Sequence, residues 1–256
     1  MLASKASILW SSESEHSIRS QSQRLSLEDE KERIEAELKR LNQPEVRREW
    51  QLLDDLQRSE QKYYRDRSES SRKRCESLME QVLALPKPSA KAYSACATTA
   101  NMLSLHHQAI AILRKAIAEY PDEHVLGPIL PLKISGNYRI GAIATCIGDA
   151  NEATRAYETI IGQLNDIEGP QCDKAQCYIY LADIASEIIG DKRLATERLR
   201  EVVRIMDSTD IKEVRDDELF ALELLKDWAT FEIARLQGQT LTYDTNLIKK
   251  GSGRSA

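Results

Sequence analysis

Apolar residues in this chain recur at spacings of three and four, in short runs separated by polar turns. Tyr93, Cys96, Ala97, Ala100 and Leu103 mark one face of a helix. After a turn at Ser104, Ala109, Leu113, Ala116 and Ile117 mark a second, and Pro121 falls where that helix would stop. The small residues Ala97, Ala109 and Ala116 let two helix backbones approach closely, so the stretch reads as a tight antiparallel hairpin. The pattern recurs. Ile140 and Gly141 precede a Gly148-Asp149 turn followed by Ala153, Tyr157 and Ile160; Leu181 and Ala182 precede a Gly190-Asp191 turn followed by Ala195, Leu199 and Val202. A last apolar helix over 217–236, through Leu219, Phe220, Leu222, Leu225, Trp228, Ala229, Ile233 and Leu236, ends at Gly238. Nothing after it pairs as a second helix, which predicts a cap on the open end of a stack. Strand-like alternation is nearly absent and aromatics are only 5%, so the expected fold class is all-α.

The N-terminal third follows a different pattern. Residues 1–26 hold nine serines and little apolar content after Trp10, a composition that cannot offset ordering entropy by burial and predicts disorder. A helix is expected over 27–41, with Ser26 as N-cap and Glu28, Asp29 and Glu30 at its positive end. Leu27, Ile34 and Leu41 are seven apart, but Glu30 and Glu37 occupy the intervening seam positions, so this is a poor coiled coil supported by pairs such as Glu35–Lys39. Asn42-Gln43-Pro44 breaks it. A second long helix is expected from 45 to 84, with a stripe through Val46, Trp50, Leu53, Leu56 and Tyr63/Tyr64 that Arg67, Ser70 and Arg74 interrupt and Cys75, Leu78, Met79, Val82 and Leu83 resume. Pro86 and Pro88 then mark a boundary. The expected organisation is a Ser-rich segment 1–26, a charged helical arm 27–85, a repeat domain 89–237 with its capping helix, and a flexible tail 238–256.

Charge and cysteine content narrow the partners. Residues 1–88 carry 17 basic and 17 acidic residues, and the remainder holds the excess that makes the chain −5. No basic stripe stands out beyond Arg72-Lys73-Arg74, which argues against nucleic acid. Five scattered cysteines, an odd number, argue against a disulfide framework and for a reducing, cytoplasmic setting. No run approaches the roughly 18 apolar residues of a membrane span, so no membrane association is expected of the chain as given. His106 and His107 are adjacent and point to different faces, and Cys172 and Cys177 have no second pair at zinc spacing, so neither set reads as a metal site. Phosphate loops, nucleophile elbows and nucleotide fingerprints do not occur. No cofactor, metal or catalytic residue is expected, and the chain reads as a non-enzyme.

The hairpins resemble the tetratricopeptide repeat. Tyr93, Ala97, Ala109, Leu113, Ala116 and Pro121 fit that family's places in register, while Cys96 and Ala100 are smaller than it prefers and Ser104 replaces its turn glycine. The turns at Ser104, Gly148 and Gly190 are 44 and 42 residues apart, against about 34 in the standard repeat. The resemblance implies a solenoid whose first helices line a concave face that accepts a peptide. Carried over residue by residue, the lining would be Lys91, Ser94, Thr98 and Asn101, then Tyr138, Ala142 and Thr145, then Tyr180, Ile184 and Glu187. The family's chaperone-binding members clamp a carboxylate with lysine and asparagine; here Ser94, Thr98, Tyr138 and Ala142 stand at those places, so that ligand is not implied. The expected function is an adaptor that binds a protein or peptide partner through the concave face, the arm, or both. Rival readings are a self-assembling homo-oligomer, favoured if Trp228 and Phe231 are exposed, and a regulator or enzyme built on the same scaffold, which would need a pocket of convergent titratable groups.

Overall fold

The computed structural model describes residues 42–124, 130–166, 171–209 and 216–239, together with Lys31, Ile34, Glu35 and Lys39. Every regular element among the described residues is helical, as the apolar periodicity requires. The chain divides between Arg74 and Cys75 into two compact units. The expectations for 1–26 and 240–256, and the non-helical crossings at 125–129 and 167–170, lie outside the described residues.

In the first unit Lys31, Ile34, Glu35 and Lys39 are helical and exposed, and the Lys31 ammonium stands 3.8 Å from the Glu35 carboxylate one turn on. Helix α1 (Pro44–Asp66) starts with proline at its first position, where a missing N–H costs nothing, and places Glu45 against the positive end. Leu56 and Ser59 are buried; Trp50 and Tyr64 are exposed.

The expected continuous helix over 45–84 is corrected. α1 stops at Asp66, and α2 (Glu69–Leu83) starts afresh. Between them Arg67 adopts a left-handed conformation (φ 49°) and donates its N–H to the Tyr63 carbonyl at 2.9 Å. The reason is side-chain competition for backbone donors. The Asp66 carboxylate accepts from the Ser68 N–H at 2.9 Å and from the Ser71 hydroxyl at 2.8 Å, while Ser68 Oγ accepts from the Ser71 N–H at 3.2 Å as an N-cap for α2. Chiefly through the Ser68 N–H, this network holds the Asp66 carboxyl below the ordinary aspartate value. The Arg67 guanidinium lies over the rings of Tyr63 and Tyr64, 5.1 and 4.9 Å from their centroids.

The second unit opens on the end of α2, where Cys75, Leu78, Met79 and Val82 are buried. It continues through α3 (Ala90–Met102), α4 (His106–Glu119), α5 (Leu132–Cys146), α6 (Ala150–Asp166), α7 (Gln171–Asp183), α8 (Lys192–Ser208) and α9 (Asp216–Leu236). Each of these helices from α3 onward packs on the next, and α9 lies against α7 as well as α8. A cluster of Ala175, Ile179, Ala182, Leu199, Val202, Leu222 and Ala229 joins the last three. Fully buried leucines and isoleucines such as Leu113, Ile160 and Leu164 each contribute about 1.5–3 kcal/mol. Trp228 and Phe231 on α9 are half-buried, whereas Phe220 and Leu224 are exposed. No helix among the described residues is long and apolar enough to cross a membrane.

The turns within the pairs α3/α4, α5/α6 and α7/α8 share one device. Ser104 (φ 62°), Gly148 (φ 75°) and Gly190 (φ 80°) are all left-handed, which only glycine adopts without steric cost. The next N–H then reaches back to cap the helix: Leu105 to the Ala100 carbonyl at 2.8 Å and Asp149 to that of Ala144 at 2.9 Å. At the third turn Asp191 reaches one residue farther, to Ala185 at 2.8 Å, because α7 runs into a π-helical turn (Ile184–Ile189) that holds an extra residue. Asp149 and Asp191 also cap α6 and α8 by accepting from the N–H groups of Glu152 and Leu194. Leu105 has no side chain that can do this for α4.

Candidate functional site

The helix pairs present two rows, the first helices α3, α5 and α7 and the second helices α4, α6 and α8, and each row is stitched by different chemistry. Along the second row the contacts are ion pairs: Arg114 with Glu152, and Arg198 with Glu158 at 2.6 Å. Along the first row they are neutral or singly charged hydrogen bonds. Arg139 on α5 donates from Nη1 to Ser94 Oγ at 2.9 Å and from Nη2 to Thr98 Oγ1 at 2.7 Å, both on α3. Tyr138 donates its phenol to the Asp173 carbonyl at 3.0 Å and accepts from the Cys177 thiol at 3.2 Å, both on α7.

Helix α5 can occupy this position because of Gly141. A Cβ there would lie 2.6 Å from Tyr157 Cζ, so the absent side chain lets the Tyr157 ring from α6 lie directly on the α5 backbone. Tyr157 is buried. Its ring meets Tyr138 edge-on (centroids 6.3 Å apart, planes at 69°) and stacks on Tyr180 (4.9 Å, 28°), the two preferred arrangements for aromatic quadrupoles. This three-tyrosine cluster floors an open groove of about 550 Å³ lined also by Arg139, Ala142, Thr145 and Asp183.

Burial sets the electrostatics. It pushes the Tyr138 and Tyr157 phenols well above the ordinary tyrosine value, and it pushes the Cys177 thiol up to about 12. All three are neutral at physiological pH, which keeps Cys177 a donor to Tyr138 and a poor nucleophile. Burial also lowers the Arg139 pKa. Asp183 reaches solvent at the groove rim, yet the surrounding protein, and then the Glu232 and Glu187 carboxylates, hold its pKa above the ordinary aspartate value; Arg235 opposes them. The arrangement offers apolar aromatic faces, one guanidinium and one rim carboxylate. It holds no nucleophile set against a base.

A second groove of about 520 Å³ lies on the second row, lined by Asn151, Thr154, Arg155, Glu158, Thr159, Ile189 and Leu194. Its charged groups are already engaged: Glu158 with Arg198, and Arg155 3.7 Å from Glu152.

Of the residues expected from sequence, Tyr138, Thr145 and Tyr180 come together in the first groove, with Ala142. Ser94, buried, and Thr98, exposed, stand behind it as the acceptors for Arg139. Lys91 is exposed at the start of α3 and does not line the groove. Asn101 bonds His106 Nδ1 at 2.9 Å, at the far end of the first pair. Glu187 is exposed in the π turn and acts on the groove through its charge on Asp183; Ile184 is buried. Sequence reasoning missed Arg139, Tyr157 and Asp183 as groove residues. Among the described residues no three His, Cys, Asp or Glu side chains are placed to hold a metal ion.

No family model matches the chain, and no curated protein matches it. Among solved structures it is similar to BtubC (BKLC) from P. vanneervenii, at 11% identity, covering 84% of this chain and 94% of that one, with a TM-score of 0.47.

Proposed function

We propose that this chain is a tetratricopeptide-like adaptor that binds a peptide segment of a partner protein along the row α3, α5 and α7. The observation that carries the reading is the groove of about 550 Å³ on that row, where Tyr138, Thr145 and Tyr180 converge. Aromatic faces with a few placed polar groups are the usual lining of a peptide groove. The protein works by binding rather than by catalysis, in a cytoplasmic setting, and needs no cofactor.

Capture from native extract by the full chain, with Tyr180→Ala and Thr159→Ala beside it, tests this. A partner retained near stoichiometrically by the parent chain and by Thr159→Ala, and lost by Tyr180→Ala, is the expected result. Tyr180 is half-buried and stacks on Tyr157, so its removal forfeits a ring pair worth about 0.5–1.5 kcal/mol in addition to the area it buries. Unchanged capture by a folded Tyr180→Ala protein overturns the reading.

A second reading, self-association, is favoured by Phe220 and Leu224, exposed one turn apart on α9. Sedimentation of the parent chain as a monomer that Phe220→Glu leaves unchanged eliminates it.

A further inference from the structure

We infer that the tyrosine groove selects a bipolar peptide, one acidic side chain of the partner docking on Arg139, one basic side chain docking beside Asp183, and apolar side chains between them on the tyrosines. The inference rests on the peptide-binding reading above and adds the chemistry of the partner.

The two poles stand on different helices. Arg139 is on α5 and turned toward α3 by its bonds to Ser94 and Thr98, whereas Asp183 is at the end of α7. Arg139 is half-buried and its acceptors are all neutral: Ser94 Oγ, Thr98 Oγ1, and the Ser94 carbonyl at a long 3.5 Å. A guanidinium has five N–H donors, so two remain without an acceptor among the described residues, and no carboxylate there neutralises the charge. A partially desolvated guanidinium with spare donors fits a carboxylate bidentately.

The opposite pole is short of cations. The Asp183 carboxylate has no hydrogen-bond donor among the described residues, and its charged neighbours are Glu187, Glu232 and Arg235. Arg235 is committed to Glu232 at 2.6 Å, and among the described residues Glu187 accepts only a 3.5 Å contact from Ser186. A partner lysine or arginine laid over the Tyr180 face toward Asp183 would gain both a counter-charge and a cation–π contact. Burying the intervening apolar side chains on the tyrosines supplies the non-polar part of the affinity.

Four fluorescein-labelled peptides with blocked termini test this on the full chain: three leucines flanked by glutamate and lysine, the same in reversed order, and the two versions with glutamate or lysine at both ends. The parent protein should bind one glutamate–lysine peptide about tenfold tighter than either like-charged one, a difference of roughly 1.4 kcal/mol. Asp183→Lys should transfer the preference to the doubly acidic peptide. Arg139→Gln should lose the tenfold preference over the doubly basic peptide, and its melting temperature reports whether the Ser94 and Thr98 contacts still hold the fold. Equal affinity for all four peptides, no binding at about 1 mM, or an unchanged preference in Asp183→Lys overturns the inference. If Tyr180→Ala nonetheless abolishes capture of a natural partner, the groove remains the site and only the proposed partner chemistry fails.

Discussion

The two rows of helices carry grooves of nearly equal volume, about 550 and 520 Å³, and they differ in what their walls still lack. On the second row the charges satisfy one another: Arg114 with Glu152, Arg198 with Glu158. On the first row the half-buried Tyr138 and Tyr180 rings line the groove over buried Tyr157, the Arg139 donors end on neutral oxygens, and Asp183 has two carboxylates, Glu232 and Glu187, and one cation, Arg235, as its charged neighbours. Volume therefore does not choose between the grooves. A wall whose polar groups are already paired gains little from a ligand, whereas a wall with an uncompensated guanidinium and half-buried aromatic rings gains from one.

Gly141 separates the two rows most strongly. Gly141→Ala drives a methyl group into the Tyr157 ring and should cost about 1–3 kcal/mol, read as a lower urea midpoint. It should also abolish partner capture, because the ring floors the groove. The matching change on the second row, Glu158→Ala, removes a partly exposed ion pair and should cost less than about 1 kcal/mol, with capture intact.

Ser104→Gly should act in the opposite direction. The first turn uses a left-handed serine where the other two use glycine, so relieving it should stabilise the chain by about 1 kcal/mol without altering capture. A decrease in the urea midpoint would mean that the Ser104 side chain contributes something its backbone does not reveal.

The smallest effect is a pH dependence. The Asp183 pKa is raised in the folded chain, so its contribution to stability is fully present below the unfolded value near pH 4 and is lost as pH rises through the folded value. Asp183→Asn should therefore be slightly more stable than the parent at pH 7, and the gap should close toward pH 4 in matched urea titrations. A constant gap across that range would contradict the raised value.

The helices and the turns were legible in the sequence because each rests on a local signal. The three-and-four spacing gives the helices, and Gly148-Asp149 and Gly190-Asp191 combine a residue suited to positive φ with a side chain that caps the next helix. Tyr138, Thr145 and Tyr180 were legible only through a resemblance that assigns them to first helices. Arg139 was not, because its meaning lies in contacts 41 and 45 residues away. Tyr157 read as a packing residue, which it is; its second role appears only when Gly141 brings the ring to the α5 backbone. The joint at Arg67 was missed for a related reason. The apolar stripe falters at Arg67, Ser70 and Arg74, but the decisive signal is polar: Asp66, Ser68 and Ser71 together offer the backbone a cap in place of another helical turn.

We propose that ligands enter on the tyrosine row and not on the ion-paired row. Site-specific incorporation of a photo-crosslinking amino acid tests it most directly, at the exposed groove residue Ala142 in one protein and at exposed Thr159 in another. Irradiation in native extract should couple a foreign protein to position 142 and none to position 159. Coupling at 159 alone, or equally at both, would contradict the account.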